Sequence, residues 1–368
     1  MYVGMGKDSI PTPALLIDLN IMEKNIRTMA DYYRSKKGAA LRPHQKGHRL
    51  PLVAKKQLDA GAVGVSMTSF GLAEFYVSSG IDDILVTSEV SGADKIRRLC
   101  ALSKYSKVTV GVDDVENVRQ LSDAANANNT KINVAVELYM GTGSSGVELE
   151  KTKQFVKEVA KHSGVVFRGL WWHEFVFASE VDERKKSEFE LLNKIRGIKV
   201  EIEDAGTTVE MLSGGYTWTW NITPEYTELS NVEVQAGSYV FSDWTLRSVK
   251  GFEPFDCALT VLTRCISRPK PNEAVFDFGM NSCSDESGHD YHSVVGPKFK
   301  DLAGVTGVFE REEVACALLN NEAKVKVGDF YEVIPPHSDT TAKLHDRYYA
   351  MRDGKVEAVW PNYGRGLL

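Results

Sequence analysis

What most constrains the fold of this chain is a regular alternation of short apolar, β-branched segments with stretches of helical periodicity. Eight such segments occur, at 39–46, 63–68, 84–87, 108–112, 132–138, 166–173, 209–213 and 232–239. Helical patterns fill the gaps at 51–60, 71–79, 93–103, 115–125, 152–162 and 185–195, several opened by Asp or Ser at the capping position. Strands that alternate with helices pair in parallel, because each crossover helix returns the chain to the same end of the sheet. Eight units over roughly 200 residues match a (β/α)8 barrel. A doubly wound open sheet should instead carry a G-x-G-x-x-G turn after its first strand, and Lys46-Gly47-His48 is not one. The pattern predicts an α/β fold, a TIM-type barrel over 20–245.

Beyond Tyr239 the helical periodicity fades. Segments at 258–266, 274–278, 324–327, 331–334, 347–352 and 355–360 read as short strands, separated by turn signals such as Arg352-Asp353-Gly354. The expectation is a second, all-β domain made of 246–368 together with 1–19. The strand at 14–18 precedes the first barrel unit and could also pair with it.

Composition narrows the function classes. A chain of 368 residues that is 43% hydrophobic can bury a large core, and its net charge of −6 gives no basic surface for nucleic acid or anionic membrane. No run approaches the roughly 20 apolar residues that span a bilayer. The five cysteines are widely spaced without a C-x-x-C pair, which fits buried thiols in a reducing compartment. These features predict a cytoplasmic protein with a small-molecule partner.

Residues with chemical character gather where the predicted barrel strands end, the rim on which barrels carry their sites. Lys46 lies between His44 and His48 at the end of the first strand, a setting whose neutral walls and neighbouring cations would disfavour the ammonium form. A neutral amine can attack an aldehyde. Thr68 ends the second strand and His173 the sixth. Ser213-Gly214-Gly215-Tyr216-Thr217 follows the seventh strand. Paired glycines commonly just permit a turn, but at this position they can also present backbone N–H groups to a phosphate. A lysine and a phosphate cradle in one barrel mouth point to pyridoxal 5′-phosphate. In the β-domain, the run 333–339 ends in His337-Ser338-Asp339. If it is extended, the imidazole and the carboxylate project from one face, because strand side chains alternate. Such a pair can be a simple hydrogen-bonded couple or two ligands of Mn²⁺, Mg²⁺ or Zn²⁺.

With these residues identified, the chain resembles the D-threonine aldolase and D-serine dehydratase family of alanine-racemase-like, fold-type III pyridoxal-phosphate enzymes. The resemblance covers nearly the whole chain. It rests most specifically on Thr12-Pro13-Ala14-Leu15-Leu16-Ile17-Asp18, Arg42-Pro43-His44-Gln45-Lys46-Gly47-His48 and Pro336-His337-Ser338-Asp339. Weaker support comes from 60–65, 80–87 and 235–241. The resemblance implies that Lys46 is the Schiff-base lysine, that His44, Thr68, Ser213, Gly214, Gly215, Tyr216 and Thr217 contact the cofactor, that His337 and Asp339 hold the metal, and that the enzyme is a homodimer. Family members with His-x-Asp at the metal look aldolase-like, whereas dehydratases more often carry His-x-Cys.

The implied activity is cleavage of a D-β-hydroxy-α-amino acid to glycine and an aldehyde, with Lys46 and His173 catalytic and the ion taking the β-hydroxyl. A D-serine or D-3-hydroxyaspartate dehydratase needs the same parts and is the alternative. A pyridoxal-phosphate-binding protein of altered activity is a third reading, because the family's Gly-x-x-Arg-x-Gly stretch is here Gly141-Thr142-Gly143-Ser144-Ser145-Gly146 and lacks the arginine. The strand-six end is also changed, to Trp171-Trp172-His173-Glu174-Phe175, and a Glu-His-Gly segment is lost around Glu312 and Glu313.

Overall fold

β1 (Ala14–Asp18) and α1 (Leu19–Arg34) open the chain, and the eight expected barrel strands follow. They are β2 (Ala39–Leu41), β3 (Val65–Met67), β4 (Asp83–Glu89), β5 (Lys107–Val112), β6 (Ile132–Leu138), β7 (Val165–Trp172), β8 (Met211–Gly214) and β9 (Val232–Val234). The computed structural model describes residues 2–141, 145–174, 176, 178–284 and 296–367. By internal contacts it forms two units, one of Met29–Lys46, Leu50–Gly237 and Leu367–Leu368, the other of Met1–Thr28, Gly47–Arg49 and Ser238–Gly366.

In the first unit the strands pair in parallel in the order β2-β9-β8-β7-β6-β5-β4-β3. The two ends of this row meet, since Val63 N–H donates to Leu41 C=O at 2.9 Å, Ser66 N–H donates to Pro43 C=O at 3.1 Å, and His44 bridges Ser66. The eight strands therefore close into a ring. Their apolar, β-branched runs are buried on both sides, as parallel strands covered by helices require. Between them lie α2 (Pro51–Asp59), α3 (Phe70–Ser78), α4 (Ala93–Leu102), α5 (Val115–Ala127), α6 (Thr152–Val159) and α7 (Val181–Asp204). Local sequence starts several of them: Pro51 fills the first turn of α2, and the Ser69 and Asp114 side chains accept the Leu72 and Asn117 N–H groups.

Leu85, Ala135, Trp171 and Met211 form one apolar cluster. β4 and β8 are not neighbours in the sheet, so these contacts cross the lumen of the ring. Trp171 thus packs inside the barrel. Two residues beyond Ala135 on the same face of β6 comes Glu137, opposite Trp171 in the register.

The second unit is a mostly antiparallel sheet built from β1, β10 (Leu259–Lys270), β11 (Glu273–Phe276), β12 (Lys298–Phe299), β13 (Val305–Glu310), β14 (Ala315–Leu319), β15 (Phe330–Ile334), β16 (Arg347–Arg352) and β17 (Lys355–Pro361). Its main path is β13-β14-β11-β10-β1-β16-β17, and β15 pairs with β10 and β12. β1 is antiparallel to β10 and parallel to β16, so it belongs to this sheet and does not extend the barrel. Ile10, Ala14, Leu16, Leu262, Tyr349, Met351 and Val356 form its core. The strand expected at 324–327 is absent. Val325 is buried but Val327 is 59% exposed, so the alternation has no apolar face to bury. Two short helices, α8 (Trp244–Arg247) and α9 (Ser338–Lys343), complete the unit. Among the described residues no helix is long and apolar enough to cross a membrane.

Candidate active site

The first barrel strand is shorter than its sequence suggests. β2 stops at Leu41, Pro43 cannot donate to a ladder, and Lys46 stands on a 3-10 turn, Gln45–Gly47, beyond the strand. The turn is anchored by Gln45, fully buried, whose Nε2 donates to Pro43 C=O at 2.8 Å and to Gln57 Oε1 at 3.1 Å, while Tyr76 OH donates to its Oε1 at 3.3 Å. Its neighbour Lys46 is exposed, not enclosed by the apolar walls the sequence implied. With Gln45 turned into the core, the next side chain has to point away from it.

His44, Thr68 and Thr87 do come together. His44 Nδ1 accepts the Lys46 backbone N–H at 3.2 Å, which leaves the neutral ring's proton on Nε2, 3.2 Å from Thr87 Oγ1 and 3.4 Å from Thr68 Oγ1. Gly237 closes over this corner: a Cβ there would lie 2.2 Å from His44 O.

His173, directly after β7, is exposed and meets the Tyr216 ring edge-on with centroids 5.9 Å apart. Tyr216 OH donates to Val176 C=O at 2.5 Å. Beside them the 213–217 loop differs from a simple open cradle. Gly215 N–H donates to Glu174 Oε2 at 3.0 Å and Tyr216 N–H donates to Thr219 Oγ1 at 3.2 Å, so two of its N–H groups are engaged inside the protein. Ser213 is wholly buried, donating to Glu233 C=O at 3.3 Å and accepting Gln235 Nε2–H at 3.1 Å. Thr217 Oγ1 accepts Gly237 N–H at 3.4 Å. Gly214 packs under Trp172, where a Cβ would fall 2.0 Å from the indole Cε2. The buried Trp172 Nε1–H beside it has no acceptor among the described residues, an orphan donor that suits an anionic group at this loop.

Glu174 is the residue here that the sequence did not single out. It is 1% exposed, and besides Gly215 N–H it accepts the Thr219 hydroxyl at 3.0 Å. Burial pushes its carboxyl up to about 7. Glu188 on α7, also buried, accepts Thr223 Oγ1–H at 2.7 Å and is pushed well above the usual carboxylate range by burial and by the charge of Glu174. Three further acids, Glu89, Asp113 and Glu137, bring ligand atoms within 4.8 Å of one another at the ends of β4, β5 and β6. Burial, with the hydrogen bond and charge of Glu89, raises Glu137 to about 9, so it carries a proton at neutral pH. Single acidic residues in strand patterns gave no signal that they would converge. Ser144, which stands in the family's arginine position, and Phe175 lie outside the described residues.

In the second unit, the extended run expected to end in Asp339 stops at Ile334. His337 is the N-cap of α9, with φ −137° and ψ 112°, and Asp339 lies in the first helical turn. The two side chains are therefore related by a helix start, not by strand alternation, because Pro335 and Pro336 break the ladder. His337 Nδ1 is 2.8 Å from Thr340 Oγ1, a contact that orients the ring. Asp339 is buried and accepts Ser238 Oγ–H at 3.2 Å. One imidazole and one buried carboxylate, each oriented by a hydroxyl, form a nitrogen–oxygen donor set that fits a divalent ion.

Comparison with known proteins adds the family context. Residues 17–242 match the model of the alanine racemase N-terminal domain, and 258–351 match that of the serine dehydratase domain. The 3-hydroxy-D-aspartate aldolase of Paracoccus denitrificans is 33% identical over 99% of this chain and 94% of its own length. The D-threonine aldolase of Arthrobacter sp. is 30% identical over 97% of this chain and 93% of its own. The crystal structure of D-threonine aldolase from Filomicrobium marinum superposes with a TM-score of 0.90 and 29% identity, covering 100% of this chain and 99% of that one. Relatives named as dehydratases are 25% identical or less.

Proposed function

The chain belongs to the alanine racemase N-terminal domain family, and on that premise we propose that it is a pyridoxal-phosphate- and divalent-metal-dependent aldolase. It cleaves D-β-hydroxy-α-amino acids to glycine and an aldehyde. The single observation that carries the reading is that relatives named as aldolases match at 30–33% identity along essentially the full chain. In this reading the barrel over 20–245 binds the cofactor, and 246–368 with 1–19 hold the metal.

Lys46 would hold the cofactor through its aldehyde. His44 is oriented beside it by its contact with the Lys46 backbone and by Thr68 and Thr87. Gly214 and Thr217, with the orphan Trp172 N–H, receive the phosphate, while Ser213, Gly215 and Tyr216 hold that loop in shape through internal bonds. His337 Nε2 and the Asp339 carboxylate hold a divalent cation such as Mn²⁺. Bound pyridoxal phosphate supplies the sink for the electron pair released from the Cα–Cβ bond. His173 acts as base: its imidazole accepts the β-hydroxyl proton as that bond breaks, the β-carbon leaves as an aldehyde, and a proton returned to Cα completes glycine. The active form is a cytoplasmic homodimer, a point that sedimentation velocity tests.

Product analysis with D-threonine, D-serine and 3-hydroxy-D-aspartate decides the reaction. Glycine with an aldehyde supports the aldolase. A 2-oxo acid with ammonia would overturn it in favour of the dehydratase, the reading that the match over 258–351 favours. Lys46→Ala should abolish turnover and the visible absorbance of the cofactor-loaded protein. A variant that retains both would remove Lys46 from its role.

A further inference from the structure

The segment that carries the proposed metal ligands begins with two residues that have no N–H. Pro335 and Pro336 leave β15 unable to continue its ladder, yet their carbonyls still need donors. Both are supplied from one short stretch of the same unit. Trp244 N–H donates to Pro335 C=O at 3.0 Å, and Thr245 Oγ1–H donates to Pro336 C=O at 2.7 Å. Directly before them stands Asp243, 1% exposed. Its Oδ1 caps α8 by accepting Leu246 N–H at 2.9 Å. Its Oδ2 accepts both the Ser338 backbone N–H at 3.0 Å and the Ser338 hydroxyl at 3.2 Å.

Ser338 is the residue between His337 and Asp339, so the carboxylate grips the chain at the point where it turns from the imidazole to the acid. We propose that Asp243 is a positioning residue for the His337–Asp339 pair: through Ser338 it fixes the start of α9 so that both side chains are presented to one cation. The inference rests on the metal assignment above. Its physical content is additional, because a pair related by a helix start, unlike one on a strand, has no ladder to set its geometry. The three contacts of Asp243 replace that ladder.

The test is Mn²⁺ binding to the full-length, metal-stripped protein, read by the electron paramagnetic resonance of bound and unbound ion with no substrate present. Asp243→Asn keeps the shape but turns an amide N–H₂ toward either the Leu246 or the Ser338 donor. Affinity for Mn²⁺ should fall about 10- to 100-fold, the range for loss of a group that orients a ligand. Thermal unfolding of the metal-free variant checks that the unit still folds. Should Asp243→Asn fail to fold, Asp243→Ser replaces it: a serine can still cap α8 but is too short to hold Ser338 as well, so Mn²⁺ should weaken several-fold. Wild-type protein that binds Mn²⁺ while the folded variant binds within twofold of it would overturn the role of Asp243 and leave the metal reading standing. Wild-type protein that binds neither Mn²⁺ nor Zn²⁺ would overturn both.

Discussion

Glu174 makes the folded protein sensitive to pH in a way that can be calculated. Its carboxyl is held at about 7 by burial, well above the ordinary carboxylate value that the unfolded chain regains. The folded state therefore holds the proton more tightly. Its stabilising share is fully present below the unfolded value and is lost as pH rises through the folded one. Between pH 5.5 and 8 the proton is bound in the native state and absent in the unfolded state over about 1.4 pH units, a loss of about 2 kcal/mol. Glu174→Gln is the matching perturbation, because a carboxamide resembles the protonated acid and still offers one oxygen to Gly215 N–H or Thr219 Oγ1. The assay is urea unfolding of both proteins at the two pH values. Between pH 5.5 and pH 8 the variant should gain about 2 kcal/mol on the wild type. If the difference between the proteins moves by less than about 0.5 kcal/mol, the typical reach of an inconsequential substitution, the burial argument for Glu174 is wrong.

Two other substitutions test the frame around the site. Arg42→Ala removes a guanidinium that is 2.6 Å from Glu233 and 2.7 Å from Asp83; since those acids keep 19% and 29% exposure and can rehydrate, the loss by chemical denaturation should be about 3 kcal/mol, and a loss below about 1 kcal/mol would show that the pairs are idle. Gly214→Ala drives a methyl group to 2.0 Å from Trp172, so unfolding should be easier by about 1–3 kcal/mol; an unchanged midpoint would mean that the indole can move aside.

The architecture was legible because eight β/α repeats leave parallel pairing little alternative, and the strands at 132–138 and 347–352 are where their patterns put them. That Lys46, Thr68, His173 and 213–217 lie at or just beyond strand ends follows from the same repeats. Their local geometry was less legible. Lys46 looked like a strand end, but Pro43 and the inward-facing Gln45 convert that stretch into a turn. The His337–Asp339 spacing looked like strand alternation, but two prolines end the strand and His337 caps a helix that starts at Ser338. Glu174, Asp243 and the Glu89–Asp113–Glu137 group gave no warning, because each is one acid in an unremarkable context and acquires its character only when folding removes its water. The 324–327 alternation misled for the opposite reason: a pattern without a surface to cover remains a loop.

The placement of Lys46 on a pinned turn has a consequence for turnover. In the role proposed for it, Lys46 would have to release its partner to an incoming amine and take it back, changing position twice in each cycle. A ladder residue would strain the sheet each time. Here Gln45 bears the mechanical load through Pro43, Gln57 and Tyr76, so the amine next to it can swing by rotating its own side-chain bonds while the wall of the cylinder stays still.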